Sequence, residues 1–90
     1  MRKLVSMVTE ARKARELTPA VGIARDLDIV AERLFRGKYV SGAFHNGEVV
    51  SGKVAAVSNG GFRGIEVHLI TKDGARRTVA MDTCRVWAER

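Results

Sequence analysis

The sequence predicts an α+β fold: two N-terminal helices followed by a five-stranded antiparallel small barrel. Three observations carry that expectation. Residues 3–36 hold apolar side chains at helical spacings of three and four. From Lys38 onward the apolar residues alternate in short runs instead. Glycine-bearing turns separate those runs, at Asn46-Gly47, Asn59-Gly60-Gly61 and Asp73-Gly74. In a chain of 90 residues, the helical segment 1–37 and the barrel 38–90 are expected to form one compact domain, near the lower end of what folds alone.

The first helix is read over 3–16. Leu4, Met7, Val8, Ala11 and Ala14 fall on one stripe, and Arg2, Thr9, Glu10, Lys13 and Glu16 fall away from it. Alone in water such a helix is marginal, so it needs a surface to dock on. Thr18-Pro19 restarts the pattern: threonine caps, and proline suits the first helical position, where an N–H would be unpaired anyway. The second stripe, from Ala20 through Ile23, Ala24, Leu27, Val30 and Ala31 to Leu34, predicts a helix over 19–36 that stops at Gly37. Gly22 lies inside it, and glycine costs a helix interior about 1 kcal/mol relative to alanine. The competing reading is a loop from Pro19 to Arg25 and a shorter helix, Ile29 to Arg36, capped by Asp26 or Asp28.

Five strands are expected next. Lys38–His45 turns at Asn46-Gly47 into Val49–Val57; Ile65–Lys72 turns at Asp73-Gly74 into Arg77–Met81; Arg85–Ala88 is last. Asn-Gly and Asp-Gly point to type I′ hairpins, which need positive φ at both central residues. Gly52 interrupts the second strand and marks a bulge or a sharp bend. Asp82-Thr83-Cys84 breaks the alternation and reads as a single 3₁₀ turn. This order of strands, hairpins and one late helical turn resembles the SH3-like barrel superfold, shared by Tudor and KOW-type domains, over about residues 38–88. The tight Asn46-Gly47 turn leaves no room for a long RT loop, and the aromatic pairs of a proline-peptide groove are absent. The resemblance therefore does not imply SH3-type peptide recognition.

Hydrophobic residues make up 46% of the chain, enough for a packed core and too many for disorder. Aromatics are few, so Val, Ile, Leu and Ala must fill most of that core. One cysteine, Cys84, precludes an internal disulfide and suits a reducing cytoplasm. The N-terminus lacks the apolar run of a signal peptide, and no window approaches a membrane span. A cytoplasmic protein without membrane contact is expected.

Catalysis has little to work with, and no enzyme activity or cofactor is expected. The nucleophile candidates reduce to Cys84, which reads as a small buried residue at the barrel turn, and scattered Ser and Thr. His45 and His68 are the candidate bases, more simply read as a hairpin residue and a solvent-facing strand residue. One Cys and two His show no metal-ligand spacing. Asn59 to Gly64 is rich in glycine but lacks the lysine and spacing of a phosphate-binding loop.

Charge is more informative. The formal net charge is +6, with excess over residues 1–16 and again over 63–90, which fits a nucleic acid or another polyanion as partner. Lys72, Arg76 and Arg77 surround the Asp73-Gly74 turn, offset by Asp73 alone. Phe62 and Arg63 occupy the glycine loop, where a ring stacks on a base and a guanidinium holds phosphate. The ordinary alternative tucks Phe62 beneath its loop. The candidate nucleic-acid-binding residues are therefore Lys53, Phe62, Arg63, Lys72, Arg76 and Arg77. The alternative function is that of a protein-binding accessory factor: an inhibitor, adaptor or assembly subunit, of phage or mobile-element type, that docks on a larger complex. Its candidate contacts are Arg12 and Lys13 on the first helix, and Trp87. Trp87 is expected to point outward, opposite Val86, and to pack on a helix or anchor a partner. The two helical stripes also suit a homo-oligomer formed through the N-terminal helices.

Overall fold

The computed structural model describes residues 2–17 and 26–89. Six strands form one antiparallel sheet, joined by two helices. In chain order these are β1 (Arg2–Ser6), α1 (Met7–Leu17), α2 (Leu27–Phe35), β2 (Tyr39–Ala43), β3 (Val49–Asn59), β4 (Ile65–Ile70), β5 (Arg76–Ala80) and β6 (Arg85–Glu89). Single 3₁₀ turns occupy Gly61–Arg63 and Met81–Thr83. The sheet order is β1-β6-β2-β3-β4-β5, so β1 and β5 are its edges.

The first turn of the expected helix 3–16 is a strand instead, which raises the strand count from five to six. Residues 2–6 pair with β6, Val5 opposite Val86 and Leu4 opposite Trp87. Ladder bonds to β6, near the other end of the chain, outweigh the helical preference of this one terminal turn, and the rest of the stripe stays helical. Ser6 then caps α1, its hydroxyl accepting the Thr9 N–H at 3.3 Å. The second helix also begins later than the full stripe predicts. Asp26 is extended (φ −67, ψ 134) at the N-cap, and its carbonyl accepts the Val30 N–H at 3.1 Å. A helix continuous from 19 to 36 is thereby excluded in favour of the shorter one; Pro19–Arg25 lie outside the described residues.

The sheet is strongly curled. β2 and β5 are three strand spacings apart in the ladder order, about 14 Å in a flat sheet. Yet a Cβ built on Gly42 would lie 2.6 Å from Val79 Cγ2, so the two strands meet face to face. Thr83 pins the approach, its hydroxyl donating to the Ala80 carbonyl at 2.7 Å and accepting the Ala43 N–H at 3.1 Å. The curl encloses Val40, Val54, Val57, Val67, Leu69, Val79, Met81, Cys84 and Val86, and the helices complete the core with Met7, Ala11, Ala31 and Phe35.

Both hairpins depart from type I′. Gly47 and Gly74 have φ of 89° and 87°, but no residue other than glycine has positive φ among those described. The Gly74 N–H donates to the Thr71 carbonyl, and the Thr71 N–H to the Ala75 carbonyl, each at 2.9 Å. This is the three-residue loop built from a type I turn and a left-handed glycine, which spares Asn46 and Asp73 the left-handed conformation. The bulge in β3 falls at Ala55, where the register against β4 shifts, and not at Gly52. Gly52 serves another need: a Cβ there would come 2.6 Å from the Ile70 carbonyl oxygen.

Candidate nucleic-acid interface

Register decides which cations work together. Residues directly opposite one another in adjacent strands project from the same face. Tyr39 pairs with Lys53, Lys53 with Ile70, and Ile70 with Arg76. These four form one transverse row on the outer face, continued at the far side by Trp87 and Leu4, which pair with each other. A second row runs beside it: Ser6 pairs with Arg85, Arg85 with Ser41, and Ser41 with Ser51. The outer face thus carries aromatic rings at one end and cations along its length.

Arg76 and Arg77 therefore part company. Arg76 stands in the outer row, whereas Arg77 sits opposite the buried Leu69 and leans along the sheet edge, its Nη1 donating to the Arg76 carbonyl at 3.1 Å. Lys72 is exposed in the turn that leads from β4 into β5. The carboxylate of Asp73 folds back into that turn, where the Thr71 hydroxyl donates to it. That bond, backbone N–H groups and the Arg77 charge lower its pKa from the ordinary value. Asp73 stays anionic among the three cations and partly offsets them.

Lys53 Nζ lies 6.0 Å from the centre of the Tyr39 ring, the outer limit for a cation–π contact. Tyr39, Trp87 and Leu4 remain 43%, 56% and 44% exposed. With Ser41, Ser51 and Arg85 they line a shallow cleft of about 150 Å³. The surroundings of Trp87 in this cleft come from strands, in place of the helix expected from its position. Ser41 and Ser51 share a hydrogen bond of 2.7 Å across the floor. Among the described residues, no carboxylate lines the cleft.

The glycine loop is ordered, not slack. The Gly60 N–H donates to the Gly64 carbonyl at 2.7 Å, and Asn59 Oδ1 accepts the Gly61 N–H at 3.0 Å. Phe62 rides its apex 99% exposed, so its ring is not tucked beneath the loop. Arg63 and Arg12 line one cleft together with Val8, Leu27, Ile65 and Asp82, and Arg63 also borders a second with Phe44, His45 and Glu66. Lys13 is exposed and lies 3.6 Å from Glu10, one helical turn away. The structure thus brings Lys53 and Arg76 together, and separately Arg12 and Arg63, but leaves Phe62 apart from both.

Cys84 and His68 are both engaged within the fold, whereas His45 is exposed in the β2–β3 turn. Cys84 is 1% exposed, with Sγ 3.5 Å from the Ala80 carbonyl. Burial pushes its thiol up to about 11, so near neutral pH it is a protonated core residue and a poor nucleophile. His68 is half-buried on the outer face and bonded at both ring nitrogens, Nε2 to Ser58 Oγ at 2.8 Å and Nδ1 to Thr78 Oγ1 at 3.0 Å. Among the described residues, no three His, Cys, Asp or Glu side chains come together as a metal site would need.

Sequence reasoning did not single out Tyr39 or Arg85 as site residues. Arg85 and Trp87 are two apart on one strand, and that alternation already placed them on one face. Tyr39 joins them only through strand pairing. Comparisons with protein-family models, curated proteins and solved structures found no match, so geometry and charge alone inform the functional reading.

Proposed function

We propose that this chain is a non-catalytic binding protein that engages nucleic acid along the outer face of its curled sheet. The observation that carries the reading is the transverse row, in which Lys53 and Arg76 share a face with Tyr39 while Arg85 stands in the neighbouring row. Cations spaced across a sheet meet successive phosphates, and their contribution comes from counterion release. Lys72 and Arg77 extend the positive field around the hairpin without sharing the row. We read β2 to β6 as an SH3-like small barrel to which β1 adds a strand; the order β6-β2-β3-β4-β5, the late 3₁₀ turn and the approach of Gly42 to Val79 support it.

Fluorescence anisotropy with labelled RNA and DNA tests the function. Saturable binding that persists at near-physiological salt and weakens in Lys53→Ala and Arg76→Ala is expected. Binding confined to low salt would reduce the +6 charge to a generic effect and end this reading. A second reading, the protein-binding accessory factor, would use the fully exposed ring of Phe62 as an anchor for its partner. Its test is capture of a specific protein from nuclease-treated lysate, lost in Phe62→Ala.

A further inference from the structure

We infer that the outer face takes single-stranded nucleic acid, with Trp87 and Tyr39 stacking on unpaired bases while Arg85, Lys53 and Arg76 hold the backbone. The inference rests on the nucleic-acid reading above and names the kind of strand. Two rings and an aliphatic side chain stand 43–56% exposed around one cleft. Leaving that much apolar surface in water is unfavourable, and its clustering is uncommon on a small domain. The cleft is small, about 150 Å³, and open to solvent. Its floor carries two serine hydroxyls, and its wall a guanidinium.

Charge narrows the occupant. Arg85 lines the cleft, Lys53 lies beside Tyr39, and among the described residues no carboxylate lines it, so a cationic ligand would be repelled. A neutral apolar segment would leave the cations without counter-charges. A nucleotide supplies both a flat ring and an anion. A duplex does not meet the same demand, because its bases are already stacked on each other and present no open face. The geometry also sets a direction. Five strand spacings of about 4.8 Å make an arc of roughly 24 Å around the convex side of the curl, aromatic at the β6 and β2 side and cationic at β3 and β5. A strand crossing the sheet would stack first and then run along positive charge.

Trp87 is the only tryptophan, so its emission reports on this cleft alone. The experiment titrates the full chain with a thymidine oligonucleotide of about 12 residues, within the span of small single-strand-binding domains, and with a mixed-sequence duplex of equal length. Both Trp87 emission and the anisotropy of end-labelled oligonucleotides are followed at near-physiological salt. The inference expects quenching by the single strand that saturates with the anisotropy signal, and weaker binding of the duplex. Tyr39→Ala and Trp87→Ala should each weaken single-strand binding about 5- to 150-fold, and Trp87→Phe should restore most of it. Should Trp87→Ala fail to fold, the quenching of the unmodified chain and the Tyr39→Ala variant still decide. Oligonucleotide binding without quenching, or equal affinity for the duplex, would overturn the single-strand inference and leave the nucleic-acid reading standing. No binding to either oligonucleotide would remove both.

Discussion

Glu32 of α2 accepts the backbone N–H of Val57 at 3.0 Å. The contact joins a helix to the strand residue two positions past the bulge in β3. A bulge disturbs the ladder and leaves local backbone groups in need of partners. The carboxylate meets that need from outside the sheet. A second junction lies close by: the Gly37 N–H, just past the end of α2, donates to the Val54 carbonyl at 2.8 Å. Together they hold α2 against the curled strand, so that Ala31 and Phe35 enter the core.

Replacing Glu32 should therefore loosen the helix from the sheet. Glu32→Ala removes the acceptor and leaves a part-buried N–H without one, for which a loss of about 1–3 kcal/mol is expected. Glu32→Gln keeps a carbonyl acceptor and should lose less. Urea unfolding monitored by Trp87 emission would show it, and equal losses in the two variants would mean that the hydrogen bond is not what the side chain contributes.

Much of this architecture was written locally. The turns at Asn46-Gly47 and Asp73-Gly74 and the late 3₁₀ turn can be read from neighbouring residues, because turn chemistry acts within three or four positions. Strand β1 cannot, because Leu4, Met7 and Val8 suit a helix as well as Leu4 and Val5 suit an edge strand, and only pairing with Val86 and Trp87 decides. The outer row is hidden for the same reason. Tyr39, Lys53, Ile70 and Arg76 are far apart in the chain and align only once three registers are known. The parting of Arg76 and Arg77 was missed because the expected strand began at Arg77; with β5 starting at Arg76, the two are consecutive strand residues and face opposite ways.

The curl makes a demand on two glycines. At Gly52 an added methyl would strike the Ile70 carbonyl oxygen, and at Gly42 the Val79 side chain, both at 2.6 Å. Backbone cannot yield as a side chain can, so Gly52→Ala should be the more destabilising, with both in the range of about 1–3 kcal/mol for overpacking. Thermal melts of the two variants give the order, and a neutral Gly52→Ala would contradict the close approach of β3 to β4.

Cys84 makes stability depend on alkaline pH. Burial raises its thiol from 9.0 to about 11, so the folded state holds its proton after the unfolded chain has lost it. Stability attributable to this group is complete below pH 9 and falls as pH rises from about 9 to about 11. The full loss is of the order of 3 kcal/mol. Other groups titrate there as well, so the readout is a difference: Cys84→Ala should flatten the decline relative to the unmodified chain. A parallel decline in both would mean that Cys84 is not the source.

Phe62 contributes nothing to packing, being 99% exposed. Phe62→Ala should leave stability within about 0.5 kcal/mol of the original, a sharp contrast with the loss expected from a buried phenylalanine such as Phe35, about 3–5 kcal/mol on truncation to alanine. Chemical denaturation of the two variants distinguishes them. A large loss at Phe62 would place its ring under the loop.

Arg76 and Arg77 offer the sharpest separation between a binding face and a binding tip. If the two acted only as charges at a hairpin tip, removing either would cost the same affinity. The register gives them different neighbours: Arg76 shares its row with Lys53, while Arg77 lies opposite Leu69 and spends one guanidinium N–H on the Arg76 carbonyl. A strand lying across the outer face meets Arg76 and not Arg77. Arg76→Ala should therefore lower both affinity and the dependence of log K on log salt, the latter by about 0.7 for one lost phosphate contact on a single strand. Arg77→Ala should keep that slope and change affinity only through the weaker long-range field, an effect that shrinks as salt shortens the screening length. Salt titrations of the two variants measure both quantities, and equal changes in slope would move the contact from the face to the tip.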